Sequence, residues 1–378
     1  MKKYKIIWIS IVVVLAMAVV IAVSGGVDSS NNSDTIKIGF IGALSGADPS
    51  YGEAMKGGVE IAVEEINSQG GIGGKKVEVI YEDGKCIDSK SAISAFQKLN
   101  DIDRVKAIIG GGCSNEVASI TKMVDSNEVF LISSGASSPD ISGSSKYIFR
   151  NSINDTESSK QLAIQIIKDG YNDIAIITDN SDYASGFRKS FINEFDKVGG
   201  VVSVDTIVQA NQSDYRSDIA KLKAVNPKVI FINPAVPKTA GIIIKQIKEA
   251  GLNSKIYLTF MATPAFFNIA GDSADGATVI DLPKVTGDLS RNILTKFETI
   301  YGHKTVYEYN TVAAYDAVMV IKEAIVKVGY DSNKISNYLS KHNFSGGLGN
   351  FSFNDQGDVS GMKYTLQIIK GHELVEIK

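Results

Sequence analysis

Residues 35–83, TIKIGFIGALSGADPSYGEAMKGGVEIAVEEINSQGGIGGKKVEVIYED, decide the fold. An apolar run, TIKIGFIG, is followed by a segment from about Tyr51 to Ser68 with Met55, Val59, Ala62, Val63 and Ile66 at helical spacing. Ser50 with Glu53 three residues on predicts a capping box at its start. KVEVIYED then returns to strand. Helix SKSAISAFQKL, strand VKAIIGG, helix NEVASITKMVDS and strand EVFLISS continue the alternation. Such βαβα order predicts an α/β fold, with a parallel sheet covered by helices on both faces.

After YIFRNSIND (147–155) the alternation starts afresh. Helices at 156–169, 184–198, 214–225 and 238–250 separate the strands DIAIITD, VVSVDTIV, KVIFINP and KIYLTF. This second set predicts a sheet of its own, hence a second doubly wound lobe. GATVIDLPKV leads to helices at about 288–301, 308–328 and 332–342, which have no sheet between them and are expected to return to the first lobe. The tail from 349 reads as strands and turns. The expected division is 34–153 with 284–345 for one lobe and 154–283 with 346–378 for the other, the chain crossing between them more than once.

Residues 1–33 read as an export signal or an uncleaved membrane anchor with a polar linker. Lys2, Lys3 and Lys5 precede an apolar run from Ile6 to Val23, and Ala22 and Ser24 suit cleavage after Ser24. No cysteine follows the run, so a lipid anchor is not expected. Loss of the three lysines leaves an exported part with a net charge of about −6, which disfavours nucleic acid as a partner. Cys86 and Cys113 both lie in that part, and an even pair in an oxidising compartment suggests a disulfide, with free thiols or cysteine chemistry as alternatives. His303, His342 and His372 lack metal-ligand spacing, and neither a metal nor a cofactor is expected.

Several motifs fail on their residues. QGGIGGKK has Gln69 and Lys76 where a phosphate loop needs Gly and Ser or Thr. GFIGALSG lacks a dinucleotide fingerprint, and SSGASSPD lacks a nucleophile elbow and a nearby histidine. What remains is a ring of polar groups after strands, where open α/β sheets bind ligands. Ser114 opens the helix after AIIGGGC, as a helix cap or at an anion site. Ala136 and Ser137 follow FLISSG, in an ordinary turn or at a ligand loop.

The stretches IKIGFIGALSGADPSYGEAMKGGVEIAVEEINSQGGIGGKKVEVIYEDGKC, IIGGGCS, ISSGASSPD, DNSDYASGF and NIAGDSADGA together resemble the periplasmic Leu/Ile/Val-binding proteins, from about Lys37 to about Ile369. The resemblance implies a type I periplasmic binding protein fold: two doubly wound parallel-sheet lobes joined by a three-strand hinge. It implies an exported, non-enzymatic monomer, periplasmic or at the cell surface, reaching the membrane only through its N-terminal segment. Such a protein binds a small amino acid or amino-acid-like solute, a branched-chain amino acid first, and hands it to the permease subunits of an ABC importer. The resemblance also pairs Cys86 with Cys113, closing a loop of about 28 residues for roughly 3–4 kcal/mol of chain entropy. It implies that Ser114, Ala136 and Ser137 hold the carboxylate and amine, that Tyr51 walls the side-chain pocket, and that Tyr183 completes the site from the second lobe.

Two departures bear on the ligand. Met261 stands where the family places an acid against the ligand's ammonium, and PAVP (234–237) replaces an aromatic pair. Either another acid takes the role, with Asp179, Asp182 and Asp281 near strand ends, or the ligand is a carboxylate or amide rather than an α-amino acid. An extracellular sensor of the same fold and an exported hydrolase are the rival readings.

Overall fold

The computed structural model describes residues 35–377. The expected leader or anchor lies outside the described residues, and no helix among those is long and apolar enough to cross a membrane.

The first sheet holds β1 (Thr35–Gly42), β2 (Lys76–Asp83), β3 (Ala107–Gly110), β4 (Phe130–Ser133) and β5 (Ile148–Arg150), in the order β2-β1-β3-β4-β5. The pairs β1–β3, β3–β4 and β4–β5 are parallel. Strands β3, β4 and β5 are buried at every position, as expected of strands covered on both faces. Between them run α1 (Pro49–Ser68), α2 (Ser89–Gln97) and α3 (Ser114–Ser126). The cap of α1 is Asp48, whose carboxylate accepts the Tyr51 N–H, with Pro49 in the first turn. The expected Ser50–Glu53 box does not form, because proline suits the first helical turn and so places the cap one residue before it.

The second sheet holds β6 (Asp173–Asp179), β7 (Val201–Val208), β8 (Val229–Asn233), β9 (Lys255–Leu258) and β10 (Thr278–Asp281). It is extended by β14 (Thr365–Lys370) and β15 (Glu373–Glu376), in the order β15-β14-β10-β9-β8-β6-β7. Its first five strands are parallel neighbours, and β14 and β15 are antiparallel additions. Helices α4 (Asp155–Lys168), α5 (Asp182–Lys197), α6 (Arg216–Val225) and α7 (Pro237–Glu249) connect them, with a short α8 (Pro264–Ala270) that the sequence pattern did not announce.

Helices α9 (Asp288–Tyr301), α10 (Glu308–Val328) and α11 (Ser332–Leu339) return to the first sheet. The contact of α10 with α1 is close: a Cβ on Gly58 would stand 2.0 Å from the Thr311 carbonyl oxygen. Mid-helix glycine costs about 1 kcal/mol against alanine, and here that cost allows two helix backbones to touch. A small sheet of β11 (Asn343–Gly346), β12 (Gly349–Phe353) and β13 (Val359–Ser360) follows. Phe353 packs edge-on to Phe149 of β5, 5.4 Å between ring centres, and Asp358 pairs with the buried Arg150 at 2.6 Å. The chain thus passes between the sheets at 151–154, 282–287 and 361–364.

Candidate functional site

Strand ends of both sheets converge on one small cavity of about 60 Å³. Its lining includes Tyr51, Ser114, Ser137, Tyr183 and Met261, five of the six residues singled out in the sequence. They reach it from five places: α1, the start of α3, the loop after β4, the start of α5 and the loop after β9.

Cys86 and Cys113 are joined in a disulfide with Cα atoms 5.1 Å apart. Buried Glu116 reinforces the bridge. Its Oε1 accepts the Cys86 N–H at 3.0 Å and its Oε2 the Cys113 N–H at 3.0 Å. Burial outweighs those bonds and lifts the Glu116 pKa to about 7, with the Asp83 charge adding to the rise. Cys113 rather than Ser114 is the cap of α3, so Ser114 is its first helical residue. There its N–H has no acceptor within the helix, and its Oγ accepts the Ser138 N–H at 3.1 Å.

Ala136 is placed differently. It is not among the residues lining the cavity: its N–H donates to Ser133 Oγ at 3.0 Å, and its carbonyl faces Arg150 Nη1 at 3.5 Å. Arg150 also donates to the Ser138 carbonyl and to Ser142 Oγ, each at 2.7 Å. This fully desolvated guanidinium, neutralised by Asp358, therefore fixes the loop that presents Ser137.

The walls are aromatic. Tyr51 and Tyr307 meet edge to face at 4.8 Å, and Tyr183 and Phe260 lie 5.8 Å apart. All three phenols are already engaged. Tyr51 donates to the Gly135 carbonyl at 3.2 Å, Tyr183 to Asn233 Oδ1 at 3.0 Å and Tyr307 to the Asp48 carboxylate. The three hydroxyls are thus bonded within the protein. Ala235, Val236 and Pro237 line the side left by the missing aromatic pair. Tyr307 and Phe260 were not singled out in the sequence. Phe260 adjoins Met261, a signal that was available, whereas nothing local marks Tyr307.

The acids sort clearly. Asp179 is spent on Ser181 and on the Ala235 N–H, at 3.0 and 2.8 Å, and burial raises its pKa. Asp182 lines neither this cavity nor the larger one beside it. Asp281 lines the larger one, and burial raises its pKa to about 6. Two further acids escaped the sequence reading. Asp48 lines the small cavity. Asp155, fully buried at the start of α4, accepts from Tyr364 at 2.9 Å and has its pKa lifted to about 6 by burial. Among the described residues no cluster suited to a metal ion occurs.

The comparisons with known proteins fit this geometry. Residues 35–372 match the periplasmic binding protein family. The chain is 28% identical over 356 residues to the leucine-, isoleucine-, valine-, threonine- and alanine-binding protein of Pseudomonas aeruginosa, covering 91% of this chain and 92% of that one. The crystal structure of a leucine binding protein from Thermotoga maritima superposes with a TM-score of 0.82 at 23% identity, covering 91% of this chain and 98% of that one. The branched-chain amino acid transporter substrate binding protein LivJ from Streptococcus pneumoniae, in complex with isoleucine, superposes with a TM-score of 0.79 at 25% identity, covering 90% and 97%. With two α/β lobes, a cleft at the strand ends and a match along nearly all of the described residues, the chain belongs to the periplasmic binding protein family.

Proposed function

We propose that this chain is the exported solute-binding component of an ABC importer, taking a small amino-acid-like solute in the cleft and presenting it to permease subunits. The carrying observation is the single cavity that joins Tyr51, Ser114 and Ser137 from the first lobe to Tyr183 and Met261 from the second. We assign residues 35–153 and 284–360 to the first lobe and 154–283 and 361–377 to the second, which moves 346–360 from the second lobe, where the sequence pattern put it, to the first, because Phe353 and Asp358 pack against β5. The protein works as a monomer and reaches the membrane only through residues 1–33.

In this reading the carboxylate sits at the start of α3, where free N–H groups and the helix dipole favour an anion. Ser114 has its hydroxyl proton free for donation, since its oxygen already accepts from Ser138. Ser137 completes the polar end. Tyr51, Tyr183, Phe260 and Tyr307 enclose the apolar part, and Ala136 positions the loop. Branched-chain amino acids are the first solutes to test, because they are what the relatives are named for. Met261 favours a second reading, in which the solute is a carboxylate or amide without an α-ammonium.

The test is a thermal-shift and calorimetric panel on protein unfolded and refolded to remove bound solute. It sets leucine, isoleucine and valine beside their deaminated acids and amides. A solute at about a hundred times its dissociation constant stabilises by about 2.7 kcal/mol, which raises the midpoint by several degrees. Ser114→Ala is expected to weaken that solute by about tenfold. A panel without a single shift would sink the reading.

A further inference from the structure

We infer that the solute site continues past Tyr51 and Tyr307 into a second chamber, and that the solute is an elongated zwitterion with its carboxylate at Ser114 and a terminal ammonium against Asp281 and Gln367. The inference rests on the binding reading above and names its solute class.

The second chamber has a volume of about 410 Å³ and shares Tyr51, Gly135, Ser137, Phe260 and Tyr307 with the small cavity, so the two adjoin. Its far lining sets Asp281, Lys284, Gln367 and Glu308 among apolar residues such as Leu282, Val285 and Leu374. Gln367, on β14, is only 2% exposed. Its Nε2 donates to Thr365 Oγ1 at 3.3 Å, while its Oε1 has no hydrogen-bond partner among the described residues. A buried acceptor left unmade costs about 1–3 kcal/mol, so its retention beside a cavity points to a donor that arrives with the solute. Among the described residues Asp281, at the end of β10, accepts one hydrogen bond, from the Leu282 N–H to Oδ1 at 2.8 Å, and the nearby charge of Lys284 acts on it without forming an ion pair. Two acceptors, one of them a carboxylate, call for a cationic N–H donor.

The same placement accounts for Met261. Strands β9 and β10 are parallel neighbours. The acid missing after β9 stands at the end of the next strand over. An ammonium on the carbon beside the carboxylate would stay in the small cavity, where among the described residues Asp48 is the only charged side chain in the lining and is already bonded to Tyr307 and Tyr51. An ammonium several carbons further on reaches the chamber that holds Asp281.

The experiment is calorimetric titration of the full chain with leucine, γ-aminobutyrate, δ-aminovalerate, ε-aminocaproate and the uncharged-tail control valerate, repeated on Asp281→Asn and Gln367→Met. One ω-amino acid is expected to bind at least about tenfold tighter than leucine and valerate. Asp281→Asn, which keeps the acceptor for Leu282, should weaken that solute by about tenfold or more and leave valerate unchanged, and Gln367→Met should act in the same direction. Tighter binding of leucine than of every ω-amino acid, or an affinity indifferent to Asp281→Asn, overturns the inference and leaves the binding reading standing. No binding by any of these compounds, together with no shift in the branched-chain panel, removes both.

Discussion

Glu116 holds two backbone N–H groups at the disulfide and keeps its proton to about pH 7 because burial disfavours its charge. The unfolded chain releases that proton near the ordinary glutamate value of 4.5. Between those values the folded state binds more protons, so this residue's contribution to stability is full below pH 4.5 and falls as pH rises towards 7. Glu116→Gln should flatten this part of the pH dependence, although it sacrifices one of the two N–H acceptors. Denaturation midpoints across that range for both proteins check it, and parallel pH curves would contradict it. The role of Glu116 was not legible in the sequence. It stands three residues after Cys113, but its second bond is to Cys86, 30 residues away. By contrast the placing of Ser114 and Ser137 at the cavity was legible, because a polar residue just past a buried strand is a local pattern. Ala136 follows the same pattern, yet its carbonyl turns to Arg150 instead, a contact that only the packing of β5 decides.

Among the elements, the segment from β2 to α3 depends most on covalent support. Lys85 and Cys86 both take the left-handed backbone conformation, with φ of 56° and 60°, which side-chain-bearing residues seldom adopt. The disulfide and Glu116 hold them there, and Cys113 caps the helix that starts at Ser114. Cys86→Ser with Cys113→Ser is therefore expected to cost roughly 3–4 kcal/mol of stability by chain entropy. It should also weaken solute binding, since the start of α3 must then be ordered on binding. Urea unfolding together with calorimetry separates the two effects, and unchanged affinity would show that α3 is held in place without the bridge. Most helices lie within two residues of their expected bounds, since periodicity is a property of the segment itself. The exceptions are α11, which ends at Leu339, short of the expected 342, and α8, whose seven residues from Pro264 are too few for a periodic signal.

At the scale of the whole molecule, the two lobes touch through glycine. Gly186 on α5 faces the first lobe so closely that a Cβ there would stand 2.1 Å from Ser138 Oγ. Tyr183, one turn earlier, packs by its N–H against Asn115. Gly186→Val should hold the lobes apart. Its expected signature is a solute affinity reduced by about tenfold or more, a radius of gyration that no longer contracts when solute is added, and little change in the stability of the solute-free protein. Wild-type contraction in the variant would show that closure does not use this contact.

The sequence by itself determined the two α/β sheets and the polar residues at the strand ends, which follow from apolar period and residue type within short segments. The pairing of Cys86 with Cys113 rested on the family resemblance, and the return of the last helices on the lack of a sheet between them. Only the tertiary structure decided which side chains complete the site. Asp48 and Tyr307 meet across 259 residues, and Gln367 reaches the chamber only because β14 is laid antiparallel beside β10. The physical reason is that burial, and with it the choice between a spent acid such as Asp179 and an unspent one such as Asp281, is set by how sheets and crossings stack rather than by any local stretch of chain.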